Sequence, residues 1–214
     1  MRNWTRPDGR TFVFGEPDAD LPAGELYTSV DEADAARRSA LEALGFGVVR
    51  RELELLLPTR LPRAPVPDGF GLFRADEVSA DALRALDDEL RQDVPGTDGW
   101  HWPAAEFRAE TYESPHFDPA LYLVGAAPDE EPVAICRVWS RPDLPRLGFV
   151  GVRRAHRRRG VTRWLVGEAF AVLAARGRRE VSTSVDETNV ASRTLLERIG
   201  GRHVGATLEL RRAG

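Results

Sequence analysis

No lysine occurs among the 214 residues. All 30 basic residues are arginine, and asparagine appears only at Asn3 and Asn189. This matches a bias towards GC-rich codons and says little about function, but it makes each rare residue type worth locating. The single cysteine, Cys136, excludes an intrachain disulfide and any multi-cysteine zinc site, and no metal is expected. Inside PVAICRVW it reads as a small buried hydrophobe; a nucleophile would need a base partner that the sequence does not supply. No apolar run approaches the roughly 20 residues of a membrane helix. The opening MRNWTRPDGRTFVF lacks the apolar stretch of a signal peptide, so the expected location is cytoplasmic, with no membrane partner. A net charge of -4 gives no global nucleic-acid signature. Hydrophobic residues at 42% with 30% charged mark a globular chain long enough to bury a core.

What the chain does contain is a repeat. The stretch TSVDEADAARRSALEALGFGVVRRELEL (28–55) returns, 155 positions later and without a gap, as TSVDETNVASRTLLERIGGRHVGATLEL (183–210), with about half of the paired positions identical. Internal repeats organise a fold and are sought first.

Short strands are expected at 11–14 and 25–30, a helix over 33–44 stopped by Gly45, and an alternating strand over 47–57. PTRLPRAPVPDG (58–69), with four prolines, reads as a linker. A strand at 71–78 precedes an amphipathic helix at 80–92, with Leu83, Leu86 and Leu90 in register and Ser79 as N-cap. A short helix near 104–112 and strands at 120–126, 132–140 and 147–152 follow, the first two strands joined by the acidic turn PDEE. A helix at 161–176, a strand at 179–185, a helix at 189–199 and a strand at 203–210 complete the chain. This order implies a mixed α/β sheet with helices on both faces. The segments implied are a partial unit at 1–57, a linker at 58–68 and a main domain at 69–214.

The chemistry concentrates in LGFVGVRRAHRRRGVTRWLVGEAF. An uncharged strand gives way to Arg and Gly and then to a helix, a junction whose free backbone N–H groups and dipole suit a phosphate. Gly160 lets the backbone approach a ligand. Arg153, Arg154, Arg157, Arg158, Arg159 and Arg163 add cationic side chains. A solvated basic turn and a nucleic-acid patch are the alternatives. No GxxxxGK[ST] or GxGxxG loop is present.

At these residues the chain resembles the GNAT acetyltransferases. Their Gln/Arg-x-x-Gly-x-Gly/Ala motif is matched by Arg157, Arg158, Arg159, Gly160, Val161 and Thr162 following Val152. Their Asn-x-x-Ala/Ser-x-x-Leu-Tyr-x-x-x-Gly-Phe motif is matched by Asn189, Ser192, Leu195 and Gly200. The resemblance covers about 69–214 and implies a mostly antiparallel sheet whose central strands splay apart around acetyl-CoA. It implies pyrophosphate on the amides of Arg158 to Arg163, pantetheine along Val150, Gly151 and Val152, and Asn189 near the thioester end. The activity implied is acetyl transfer to an amine, by direct attack in a ternary complex, with a small-molecule acceptor expected. A non-catalytic CoA-binding module and a protein N-acetyltransferase are the rival readings.

Two positions depart from the pattern. Thr162 replaces the usual Gly or Ala, and Leu196 replaces a Tyr that often serves as proton donor; Leu cannot donate. The expected base is His101 or Glu106, with Trp100 and Trp102 against the acceptor. His101 suits a base by its ordinary pKa, although two Trp packed on the core with an exposed His would explain the same letters. The first repeat carries Asp34 in place of Asn189 and has no Arg-Gly loop before it. It resembles a truncated, degenerate GNAT half, as in tandem members of the family, with a structural role: covering the sheet, shaping the acceptor cleft or pairing in a homodimer.

Overall fold

The computed structural model describes residues 2–16, 21–128 and 131–214. Two residues of the acidic turn expected at PDEE, 129 and 130, lie outside the described residues. Among the described residues ten strands form one sheet. The elements in chain order are β1 (Arg2–Thr5), β2 (Thr11–Phe14), β3 (Leu26–Asp31), α1 (Ala35–Ala43), β4 (Gly47–Pro58), β5 (Gly71–Arg74), α2 (Ala80–Arg91), α3 (Ala104–Thr111), β6 (Tyr122–Ala126), β7 (Pro132–Trp139), β8 (Arg146–Val152), α4 (Val161–Ala175), β9 (Glu180–Asp186), α5 (Val190–Arg198) and β10 (Arg202–Arg212).

The expected elements are present, with three differences. The strand expected over 71–78 stops at Arg74, because the Glu77 carboxylate accepts the Arg74 N–H (2.8 Å) and closes a short 3-10 turn. Tyr122, not Ala120, begins the next strand, because the Asp118 carboxylate accepts the Ala120 N–H (3.0 Å) and starts another such turn. The strand β1 was not expected; its four residues are all exposed and carry no alternation.

The strands run in the order β1-β2-β3-β10-β4-β9-β8-β7-β6-β5. The two β-α-β units β3-α1-β4 and β9-α5-β10 are therefore interlocked: β10 lies between β3 and β4, and β4 lies between β9 and β10. Their registers correspond. Glu209 sits opposite Ser29 and Leu210 opposite Thr28; Glu54 sits opposite Ser184 and Leu55 opposite Thr183. Neither unit completes its sheet alone.

The shared letters explain the shared geometry. Asp31 and Asp186 each accept the N–H two residues on, at 2.9 and 2.8 Å, forming the turn out of the strand. Asp34 then accepts the Arg37 N–H (3.0 Å) and Asn189 the Ser192 N–H (3.1 Å), so both residues are N-caps. Gly45 and Gly200 adopt φ of 86° and 89°, the left-handed geometry that ends each helix.

Three apolar clusters hold the layers. On one face of the sheet, α2 sets Leu83, Leu86 and Leu90 against Ile135, Tyr122 and Phe149. On the other, α4 and α5 pack Trp164, Leu165, Phe170, Leu196 and Ile199 against Ala134, Cys136, Val138 and Leu57. Leu41 of α1 meets Val30, Leu208 and Leu210 in a third cluster. Cys136, in the cluster under α4, is fully buried and burial pushes its thiol up to about 12, so it acts as an apolar filler.

Leu57 has no exposed surface and belongs to the cluster under α4, although it comes from the first unit. Leu57→Ala should cost about 2–5 kcal/mol and lower the midpoint of a single urea transition. Two separated transitions would show that the units unfold independently.

Candidate active site

The parallel neighbours β8 and β9 pair at Arg146 and Ser182 alone. Beyond that point they diverge, while β4 and β9 stay paired from Glu52–Asp186 to Pro58–Glu180. Thr183 Oγ1 still donates to Leu147 O (3.0 Å), and beyond Leu147 the β8 backbone faces a gap. A bulge in β8 across from Arg137 and Val138 brings four successive residues, Leu147 to Val150, to one cavity wall.

A cavity of about 530 Å³ lies where β8 meets α4, lined by Val152, His156, Arg157, Arg158, Gly160, Val161, Thr162, Arg163, Leu195, Arg198 and Ile199. Gly160 has φ of 83° and is the N-cap of α4. A Cβ there would meet no atom within 4 Å, so the side-chain direction points into open space. Trp164 donates the first bond of the helix, to Gly160 O (3.0 Å), which leaves the first-turn amides without helical acceptors. Arg158 also has a positive φ, 65°, a strained geometry of the kind that collects at ligand sites.

The arginines divide by role. Arg153 pairs with Glu89 and Glu131, and Arg154 and Arg157 both pair with Asp93. Arg157 also donates to Val152 O (2.8 Å), tying the loop to the end of β8. Arg158, Arg163 and Arg198 complete the cationic rim of the cavity. The hydrogen bonds from Arg154 and then Arg157 hold the Asp93 carboxyl down at about 2. A depressed carboxylate contributes its stabilisation above its unfolded pKa of about 3.9 and loses it as pH falls through the folded value. The clamp on the loop should therefore stay closed across neutral pH, and a carboxyl ¹³C titration of Asp93 should show a midpoint near 2. A midpoint near 4 would mean that the clamp is absent.

A second cavity, of about 420 Å³, opens on the α2 side and shares Leu195 with the first. Its floor is the sheet: Glu52 of β4, Asp186 of β9 and Glu209 of β10, with Arg50 among them. Arg50 donates to Glu52 (2.6 Å) and Glu209 (2.8 Å) and lies 3.7 Å from Asp186. Ser184 donates to the other Glu52 oxygen at 3.1 Å. Its roof joins the first strands to the loop after α2. Arg6 donates to Gly96 O (2.9 Å), and the rings of Trp4 and Trp100 meet edge-on at 6.4 Å.

Of the residues expected to hold a cofactor, Val152, Arg157, Arg158, Gly160, Val161, Thr162 and Arg163 line the first cavity, and Val150, Asn189 and Ser192 line the second. Gly151 and Arg159 line neither; a Cβ on Gly151 would meet Leu90 of α2 at 3.1 Å. Trp100 lines the second cavity, whereas Trp102 is buried one layer behind and donates to Asp87 (2.9 Å). His101 is exposed, 3.9 Å from Asp88, and Glu106 is exposed on α3; neither lines either of these two cavities. Sequence reading missed Arg50, Glu52, Asp186, Glu209 and Arg198. The alternation in RRELEL marked β4 as a strand, but only its place between β9 and β10 puts Glu52 in the cavity.

The cofactor geometry fits an acyl-CoA. Free amides and a left-handed glycine face open space beside cationic side chains, and an unpaired strand edge leads from there into the second cavity.

Comparisons with known proteins agree. The profile described as Acetyltransferase (GNAT) family matches residues 83–201. Mycothiol acetyltransferase of Salinispora tropica is 32% identical over 157 residues, covering 70% of this chain and 50% of that protein; the Salinispora arenicola protein gives the same figures. The chain thus spans about half the length of the curated relatives it matches. Among solved structures, a GCN5-related N-acetyltransferase from Sphaerobacter thermophilus has a TM-score of 0.73 at 23% identity, covering 88% of this chain and 59% of that one. A tandem GNAT protein from the clavulanic acid biosynthesis pathway has a TM-score of 0.67 at 15% identity, covering 89% and 64%. With its strands splayed beside a glycine-led helix and a family profile matched over more than half its length, this chain belongs to the GNAT acetyltransferase family.

Proposed function

We propose that the chain transfers an acetyl group from acetyl-CoA to the amine of a small molecule, by direct attack in a ternary complex. The observation that carries this reading is the pair of cavities meeting at Leu195, one with a phosphate-binding rim and one with a carboxylate floor. The amides of Val161 to Arg163, with Arg158, Arg163 and Arg198, bind the phosphates. The free edge of β8 at Val150 orients the pantetheine arm. Bound acetyl-CoA supplies an activated thioester. Similarity to two mycothiol acetyltransferases supports a small-molecule acceptor.

Glu52 is the proposed base. Its carboxylate faces the acceptor cavity, is oriented by Arg50 and Ser184, and takes the proton from the acceptor ammonium. His101 and Glu106, outside both cavities, are less suited to the role. Leu196 brings no hydroxyl, so no acid is assigned there. The first unit is read as a degenerate GNAT half that shapes the acceptor cleft; Trp4, Arg6, Phe12, Ser29, Arg50 and Glu52 support this by lining it. The test is calorimetry with acetyl-CoA followed by thiol release against an amine panel. Binding with turnover is expected. Binding without turnover of any amine would favour a non-catalytic CoA-binding module, and no binding at millimolar cofactor would end both readings.

A further inference from the structure

The second cavity separates charge. Its sheet floor presents three carboxylates, Glu52, Asp186 and Glu209, around one lining guanidinium, Arg50. Its wall, formed by the end of α2, the following loop and the turn after β1, presents Arg91, Trp100 and Arg6. Both guanidinium groups lie over the Trp100 ring, that of Arg6 at 4.5 Å and that of Arg91 at 5.0 Å from its centroid. All three residues are at least nine-tenths buried.

Two donors on this wall lack acceptors, although Arg6 Nη2 is held by Gly96 O and by the Asp8 carboxylate, each at 2.9 Å. Trp100 Nε1 and Arg6 Nε are buried and have no hydrogen-bond partner among the described residues. Arg91 directs Nε and Nη2 at Asp87, which leaves Nη1. Asp87 is also shared with Arg137, at 3.9 Å, and with the Trp102 indole. One buried carboxylate thus serves two buried guanidinium groups, and the excess positive charge stands behind the cavity wall. Buried donors in native proteins are normally satisfied, and a guanidinium beside an indole N–H fits a carboxylate.

We infer that the acceptor is a zwitterion of amino-acid type, its ammonium on the carboxylate floor and its own carboxylate on Arg91, Arg6 and the Trp100 indole. This deepens the acetyl-transfer reading and rests on it for the reaction, not for the binding. Transfer forms the N–acetyl bond and breaks the acyl–sulfur bond; of the two protons that leave the ammonium nitrogen, the first goes to Glu52 before attack and the second leaves with the sulfur, which departs as coenzyme A thiol.

The test compares α-amino acids with their carboxamides and decarboxylated amines on the whole chain, by thiol release at saturating acetyl-CoA and by calorimetric binding. The carboxylate forms are expected to exceed the carboxamides at least tenfold in kcat/KM and in affinity. Arg91→Met and Trp100→Phe should each bring that ratio towards one, through KM with kcat nearly held. Should Arg91→Met fail to fold, Trp100→Phe, which keeps the ring and removes only the donor, decides. Equal use of acids and amides, preference for the amines, or no binding of any of the three overturns the inference. Failure of acetyl-CoA to bind would instead strike the cofactor assignment, while the binding comparison still decides the carboxylate subsite.

Discussion

Glu52→Gln should lower kcat by about 10²–10⁴-fold, the usual contribution of general-base catalysis, and leave acetyl-CoA affinity unchanged. The substitution is nearly isosteric and removes the carboxylate charge and with it the ability to take a proton. The fold should tolerate it, because Arg50 keeps Glu209 at 2.8 Å and Asp186 at 3.7 Å and the side chain is not part of an apolar cluster. Glu52 also belongs to the first unit, outside the 83–201 stretch matched by the family profile. A large loss of kcat would therefore show that the first unit takes part in the chemistry. His101→Ala and Glu106→Gln, exposed and remote from both cavities, should each change kcat less than twofold. Unchanged kcat in Glu52→Gln, measured by thiol release, would remove the base assignment.

Gly160→Trp is expected to abolish acetyl-CoA binding while the far-ultraviolet spectrum is kept. Two effects act together. A residue with a Cβ at φ of 83° carries about 1–2 kcal/mol of strain, a small cost beside the stability of a domain. The larger effect is steric. Nothing lies within 4 Å of the added Cβ, so the indole extends into the 530 Å³ cavity instead of colliding with protein. Gly160→Ala separates the two: it keeps the strain without the bulk and should weaken binding no more than about tenfold, the equivalent of about 1.4 kcal/mol. Calorimetry reads both variants, and an unchanged affinity in Gly160→Trp would refute the loop assignment.

Local structure was legible because it is written locally. The stop at Gly45 and the leucines of α2 mark their helices without reference to anything distant, whereas the caps made by Asp34 and Asn189 were not read as caps. The strand-loop-helix junction at Gly160 was legible for the same reason: strand, arginines, glycine and helix are contiguous. Pairing between distant segments was not. An alternating strand such as β4 satisfies the same pattern beside β3 or between β9 and β10, and only the register of the whole sheet decides. That choice carried Glu52 and Arg50 into the second cavity, and no spacing near them announces it. The run Trp100-His101-Trp102 was ambiguous for a different reason. The chain there is neither helix nor strand, so neighbouring side chains take unrelated directions: one into the cavity, one into solvent, one into the core. Rarity also proved a weak guide. Asn189 stood out as one of two asparagines, yet its observed bond is the helix cap that Asp34 makes in the other unit.

In the proposed arrangement the second unit holds the cofactor on one side of the splayed strands, and the first completes the face that takes the acceptor. A crystal structure with acetyl-CoA bound tests it most directly. The pyrophosphate should lie against the amides of Val161 to Arg163, with the acyl end emerging beside Val150 towards Glu52. A cofactor bound elsewhere, or an acyl end directed away from the Glu52 cavity, would contradict it.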